Sequence, residues 1–120
     1  TAPPPPAEPA APSTLTGEEL RALVVEKWGR PYDTRICQRR NQVNQLRLYL
    51  QVMWKYVGQR SFPMTEQQYT EQLDAVAELL TEWGVVEQAV AGIRSSRKIP
   101  KVDTVTATAI MIPLDVELEG

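Results

Sequence analysis

The chain has 120 residues, a formal net charge of -2, one cysteine and no histidine. Those totals allow one domain with a modest core, and they exclude an internal disulfide framework, a Ser-His-Asp triad, a Cys-His pair and every imidazole-based metal site. No apolar run approaches the roughly 20 residues that a transmembrane helix needs, and the balanced charge makes no global case for a polyanion-binding protein.

Residues 1–13 hold six of the ten prolines and almost nothing to bury. They read as an extended tether over residues 1–14, ahead of a domain at 15–114 and an acidic tail at 115–120. Pro3 to Pro6 also supplies a PxxP spacing, but no basic anchor flanks it. The Thr1 start is compatible with a removed targeting peptide.

Thr16 and Glu19 form a T-x-x-E capping box, with Leu15 and Leu20 placed for a hydrophobic staple. Leu20, Leu23, Val24 and Trp28 follow on one helical face until Gly29 and Pro31 stop it. Tyr32–Arg40 reads as a strand in which Tyr32, Thr34 and Ile36 alternate with Asp33, Arg35 and Cys37. Asn41–Gln45 is then a polar hairpin loop returning the chain into Leu46–Val57, the most apolar stretch.

That stretch fits both periods. With period two, Leu46, Leu48, Leu50, Val52, Trp54 and Tyr56 share a face; with the helical period, Leu46, Tyr49, Leu50, Met53, Trp54 and Val57 do. Its aromatic and β-branched composition, the preceding turn and the following Gly58 favour a central strand.

A second capping box, Thr65 with Gln68, opens a second helix carrying Tyr69, Leu73, Val76, Leu80 and Trp83 at alternating spacings of four and three. Gly84 interrupts it, and Val85–Ile93 forms a further short helix. Arg94–Lys101 is a basic loop. Val102–Ile112 reads as a third strand closed by Pro113, and the alternation of apolar and acidic residues after Leu114 suggests a frayed or edge-extending tail. The expected fold class is α+β: a small three-stranded antiparallel sheet with helices on one face, in the order α-β-β-α-α-β.

Charge is strongly segregated. Lys27, Arg30, Arg35, Arg39, Arg40, Arg47, Lys55 and Arg60 face one acid, Asp33, whereas Glu66, Glu71, Asp74, Glu78, Glu82 and Glu87 stand in a stretch with no base. On the strand reading Arg35, Arg39, Arg47, Tyr49, Gln51, Met53 and Lys55 share an outer face, whose mixture of Arg, aromatic and Met suits the centre of a protein interface. A merely solvated sheet face, with cations discouraging edge aggregation, is the plain alternative. RNA is the alternative partner, with Tyr49 as a stacking platform, but there is no clamp loop or paired-aromatic motif.

An enzyme reading could rest only on Cys37, between Arg35 and Arg39, or on the carboxylates Glu71, Asp74, Glu78 and Glu82, which fit a solvated helix face better. The three tryptophans read as core anchors. The residues call for no cofactor and no metal, and the expectation is a non-catalytic protein.

The runs Leu15-Thr-Gly-Glu-Glu-Leu20, Glu26-Lys-Trp-Gly-Arg-Pro-Tyr-Asp33, Leu48-Tyr-Leu-Gln-Val-Met-Trp-Lys-Tyr56, Ser61-Phe-Pro-Met64, Leu73-Asp-Ala-Val-Ala77 and Glu82-Trp-Gly-Val85 resemble a domain-of-unknown-function family of cyanobacteria and plant or algal chloroplasts. The likeness covers about Leu15 to Ile93, plus Ile110 to Leu114. It departs in the Asn/Gln hairpin loop and the longer basic segment before the last strand, which leaves a partner common to the family open. The resemblance implies a small α+β fold, no assigned catalytic residues and a photosynthetic setting. The protein expected from it is plastid-located, stromal or thylakoid-peripheral: an accessory or assembly subunit whose partners are protein subunits of a photosynthetic complex. A plastid RNA-binding or gene-expression factor is the alternative.

Overall fold

The computed structural model describes residues 14–116, so most of the expected Pro-rich tether and residues 117–120 of the acidic tail lie outside the described residues. Helix α1 spans Gly17–Trp28 and α2 spans Glu66–Glu82; both begin with the expected capping boxes, Thr16 with Glu19 and Thr65 with Gln68. Each box satisfies backbone N–H groups that a helix start otherwise leaves without partners. Both stapling residues of α1, Leu15 and Leu20, are buried. Gly29 stops α1 at φ 85°, and α3 spans Val86–Ser95 after the left-handed turn at Gly84.

The chain is α+β as expected. Strands β1 (Tyr32–Arg40), β2 (Leu46–Tyr56) and β5 (Ile110–Leu114) form an antiparallel sheet in the order β1-β2-β5. Leu48, Leu50 and Val52 of β2, with Ile110, Ile112 and Leu114 of β5, are buried beneath the helices, which pack on that one face. β2 is central, and the strand period decides its facing.

The segment expected as one strand over Val102–Ile112 is divided. β3 (Lys101–Val102) and β4 (Ala107–Thr108) make a separate two-stranded hairpin, and β5 then runs through Pro113 to Leu114. Asp103 makes the division: its Oδ1 accepts from the Val105 N–H at 2.8 Å and the Thr106 N–H at 2.7 Å, closing a turn inside a β-branched run. Pro113 is tolerated because β5 is an edge strand, where a missing N–H can face away from the sheet.

At two helix positions a side chain would force a neighbour to shift. A Cβ on Gly17 would stand 2.6 Å from the Asp74 backbone nitrogen, so α1 meets α2 backbone to backbone at its first turn. A Cβ on Gly92 would meet the Ile112 side chain, where α3 crosses β5.

Candidate docking interface

The β1–β2 hairpin owes its register to its loop. The Asn41 side-chain oxygen accepts from the backbone N–H groups of Val43 (3.0 Å) and Gln45 (2.9 Å), and Asn44 takes φ 64°, a conformation Asn adopts more readily than most residues. Arg40 Nη1 donates to Asn44 O at 2.9 Å and pins the turn from the strand side. With the turn fixed, Arg35 pairs with Gln51, Cys37 with Tyr49 and Arg39 with Arg47, while Tyr49 and Gln51 stand beside Pro113 and Met111 of β5. Because side chains alternate across a strand, these residues share the sheet face opposite the buried Leu48, Leu50 and Val52.

Five of the seven expected interface residues, Arg35, Arg39, Arg47, Tyr49 and Gln51, thus fall together within the regular register. Met53 and Lys55 lie in an irregular stretch. Thr34 pairs with Val52 but Tyr32 pairs with Tyr56, so Asp33 alone stands against Met53, Trp54 and Lys55 and the ladder bulges there.

Electrostatically this face is uneven. Arg35, Arg39, Arg47 and Lys55 are exposed, while Tyr49, Gln51, Met53 and Met111 are half-buried. Arg35 is ion-paired with Asp33. Arg39 and Arg47 are direct cross-strand partners of like charge, and the carboxylate nearest Arg47 is the exposed Asp115 at 3.9 Å. Like charges directly opposite each other destabilise a sheet unless something else neutralises them. Cys37 lies half-buried between the arginines.

The distinctive Trp28–Asp33 run serves the fold. The Trp28 indole N–H donates to Lys98 O at 2.9 Å, Arg30 lies over the Tyr56 ring at 4.5 Å, and Tyr32 packs edge-on against Tyr56. Asp33 is the residue that sequence reasoning misplaced. Strict alternation puts it on the solvent side, yet it is 4% exposed, paired with Arg35 and held by Gln72 Nε2 at 2.7 Å. Arg35 and Gln72 cover it where the ladder is irregular, and no residue type in the sequence announces that irregularity.

The carboxylates Asp74, Glu78 and Glu82 border a surface cleft beside the first turn of α1. Among the described residues, no three His, Cys, Asp or Glu side chains are arranged to hold a metal ion. No helix of the described residues is long and apolar enough to cross a membrane.

The family model for a domain of unknown function (DUF3067) matches residues 18–119 of the chain. The solution NMR structure of the Alr2454 protein from the cyanobacterium Nostoc sp. strain PCC 7120 is 42% identical to it, with a TM-score of 0.70, covering 84% of this chain and 88% of that one. No curated protein matches.

Proposed function

We propose that this chain, which belongs to the family described as a domain of unknown function (DUF3067), is a non-catalytic accessory or assembly subunit that docks on a photosynthetic protein complex through the outer face of the β1-β2-β5 sheet. The observation that carries this reading is the Arg39–Arg47 pair: two exposed guanidinium groups held opposite each other on a face the helices leave uncovered. An acidic partner surface would neutralise both, and Tyr49, two residues from Arg47 on the same face, supplies the aromatic surface that such interfaces use. The photosynthetic setting, plastid-located and peripheral to the membrane, is drawn from the family resemblance.

The Arg39→Glu variant tests the proposal, because it separates docking from folding. Replacing one of two opposed like charges by an acid creates a favourable cross-strand pair, so the variant should be as stable as the wild type or more so, by about 0.2–1 kcal/mol. It should nevertheless lose co-migration with thylakoid complexes at low salt, where the wild type co-migrates. A wild-type protein that never co-migrates, or a variant that co-migrates equally, refutes the reading.

A further inference from the structure

We propose that the basic loop after α3 and the β3–β4 hairpin form a docking surface for an anionic lipid bilayer, separate from the outer sheet face. The loop is anchored to the body of the protein. Lys27 Nζ donates to Arg94 O at 2.8 Å, the Trp28 indole donates to Lys98 O at 2.9 Å, and Pro100 is buried. From that base the side chains of Arg97, Lys98 and Lys101 are exposed, with Arg94 exposed in the last turn of α3, and among the described residues none of the four is in an ion pair. Arg97, Lys98 and Lys101 line, with Ile99 and Thr108, a surface cleft of about 470 Å³.

The same short segment carries exposed apolar side chains: Ile99 is 61% exposed, Val102 54% and Val105 87%. Val105 stands in the turn of the hairpin, held there by the two backbone hydrogen bonds that Asp103 accepts. Asp103 is the acid in the segment, and its Oδ1 is committed to this turn.

Two features favour a bilayer over an acidic protein. The apolar side chains are spaced along the loop and the hairpin, Ile99 in the first and Val102 and Val105 in the second, and each is largely exposed, which suits shallow insertion between lipids. Cations flank them, as in peripheral proteins that combine a weak apolar anchor with a polybasic patch, neither being sufficient alone. β5 starts at Ile110, opposite Val52, and β4 directly precedes it, so the hairpin lies toward the Tyr56 end of β2. The Arg39–Arg47 pair lies toward the other end. The two surfaces can therefore act at once.

The experiment is co-sedimentation of the full chain with phosphatidylcholine vesicles containing roughly one-third phosphatidylglycerol, against pure phosphatidylcholine vesicles. Binding is expected to the first alone, weakening as salt is raised. Each cation near an anionic surface contributes about fivefold, so Arg97→Gln with Lys98→Gln should weaken binding roughly 25-fold. Val105→Asp should weaken it through the apolar anchor, and Arg39→Glu should leave it unchanged. Circular dichroism confirms that each variant is folded. The proposal is overturned if the wild type does not sediment with the anionic vesicles, if Arg97→Gln/Lys98→Gln and Val105→Asp sediment like the wild type, or if the surface binds soluble polyglutamate and not vesicles.

Discussion

Tyr69 is completely buried, yet its hydroxyl donates to Tyr32 O at 2.7 Å, while Phe62 packs edge-on against its ring and Arg21 lies 5.5 Å from the ring centre. One turn further along α2, Gln72 Nε2 donates to Thr34 O at 2.8 Å as well as to Asp33. Together these two side chains satisfy carbonyls at the outer edge of β1, where among the described residues no further strand pairs. Burial pushes the Tyr69 phenol above the ordinary tyrosine range; Asp33 and Glu66 add to the shift, and Arg21 opposes it. The native state therefore holds this proton more tightly than the unfolded chain does. Its contribution is fully present below the unfolded tyrosine pKa and is lost as pH rises beyond that value. Urea midpoints should accordingly fall above about pH 10. Tyr69→Phe should flatten that alkaline decline while lowering stability near neutral pH by about 1 kcal/mol, the worth of the lost hydrogen bond. Parallel alkaline curves for the two proteins would contradict this account. The Tyr69–Gln72 clamp was only half legible in the sequence. Tyr69 sits on the apolar stripe and reads as core, but its carbonyl partner and the Gln72 contacts with Asp33 and Thr34 join α2 to β1 across more than 30 residues, which periodicity does not register.

The elements that could be read directly are those specified within a few residues. Both capping boxes, the Gly29 stop and the Asn-rich hairpin loop are local chemistry, and each takes its expected place. The last strand failed for a local reason of the opposite kind. Its turn is built by an Asp103 side chain among Val and Thr residues, with no Gly, Pro or Asn to mark it, so a hairpin and a strand look like one run. The exposed Val105 was hidden by that same reading. Contacts between elements left still less trace: nothing around Gly17 marks it as the point where α1 touches the backbone of α2. Gly17→Ala should therefore destabilise by about 1–3 kcal/mol through overpacking, despite the better helix propensity of alanine. Gly92→Ala should be milder, because its clash is with the Ile112 side chain, which can shift, whereas Asp74 presents backbone. Chemical denaturation of both variants checks the order. A Gly17→Ala protein as stable as the wild type would mean that the helices part without penalty.

At the scale of the molecule, the near-zero net charge conceals two opposed surfaces. The outer sheet face is basic, and the exposed side of α2, with Glu71, Asp74 and Glu78, is acidic; the helices pack on the far face of the sheet from Arg39 and Arg47. Sequence reasoning caught this polarity because charge runs survive any error in strand boundaries. An acidic partner approaching the sheet is attracted by the near face and repelled, more weakly, by the acids behind it. Exposed charges separated by more than a Debye length are screened at physiological salt, so the repulsion acts on the approach at low ionic strength and little on the formed contact. Glu71→Lys with Glu78→Lys should then quicken association with the docking partner at low salt, and the gain should vanish as salt approaches physiological strength. Both residues are exposed, so stability should change by no more than about 0.5 kcal/mol for each substitution. Stopped-flow association across a salt series reads the effect directly. Slower association by the doubly substituted protein would place the acidic helix, not the sheet, against the partner.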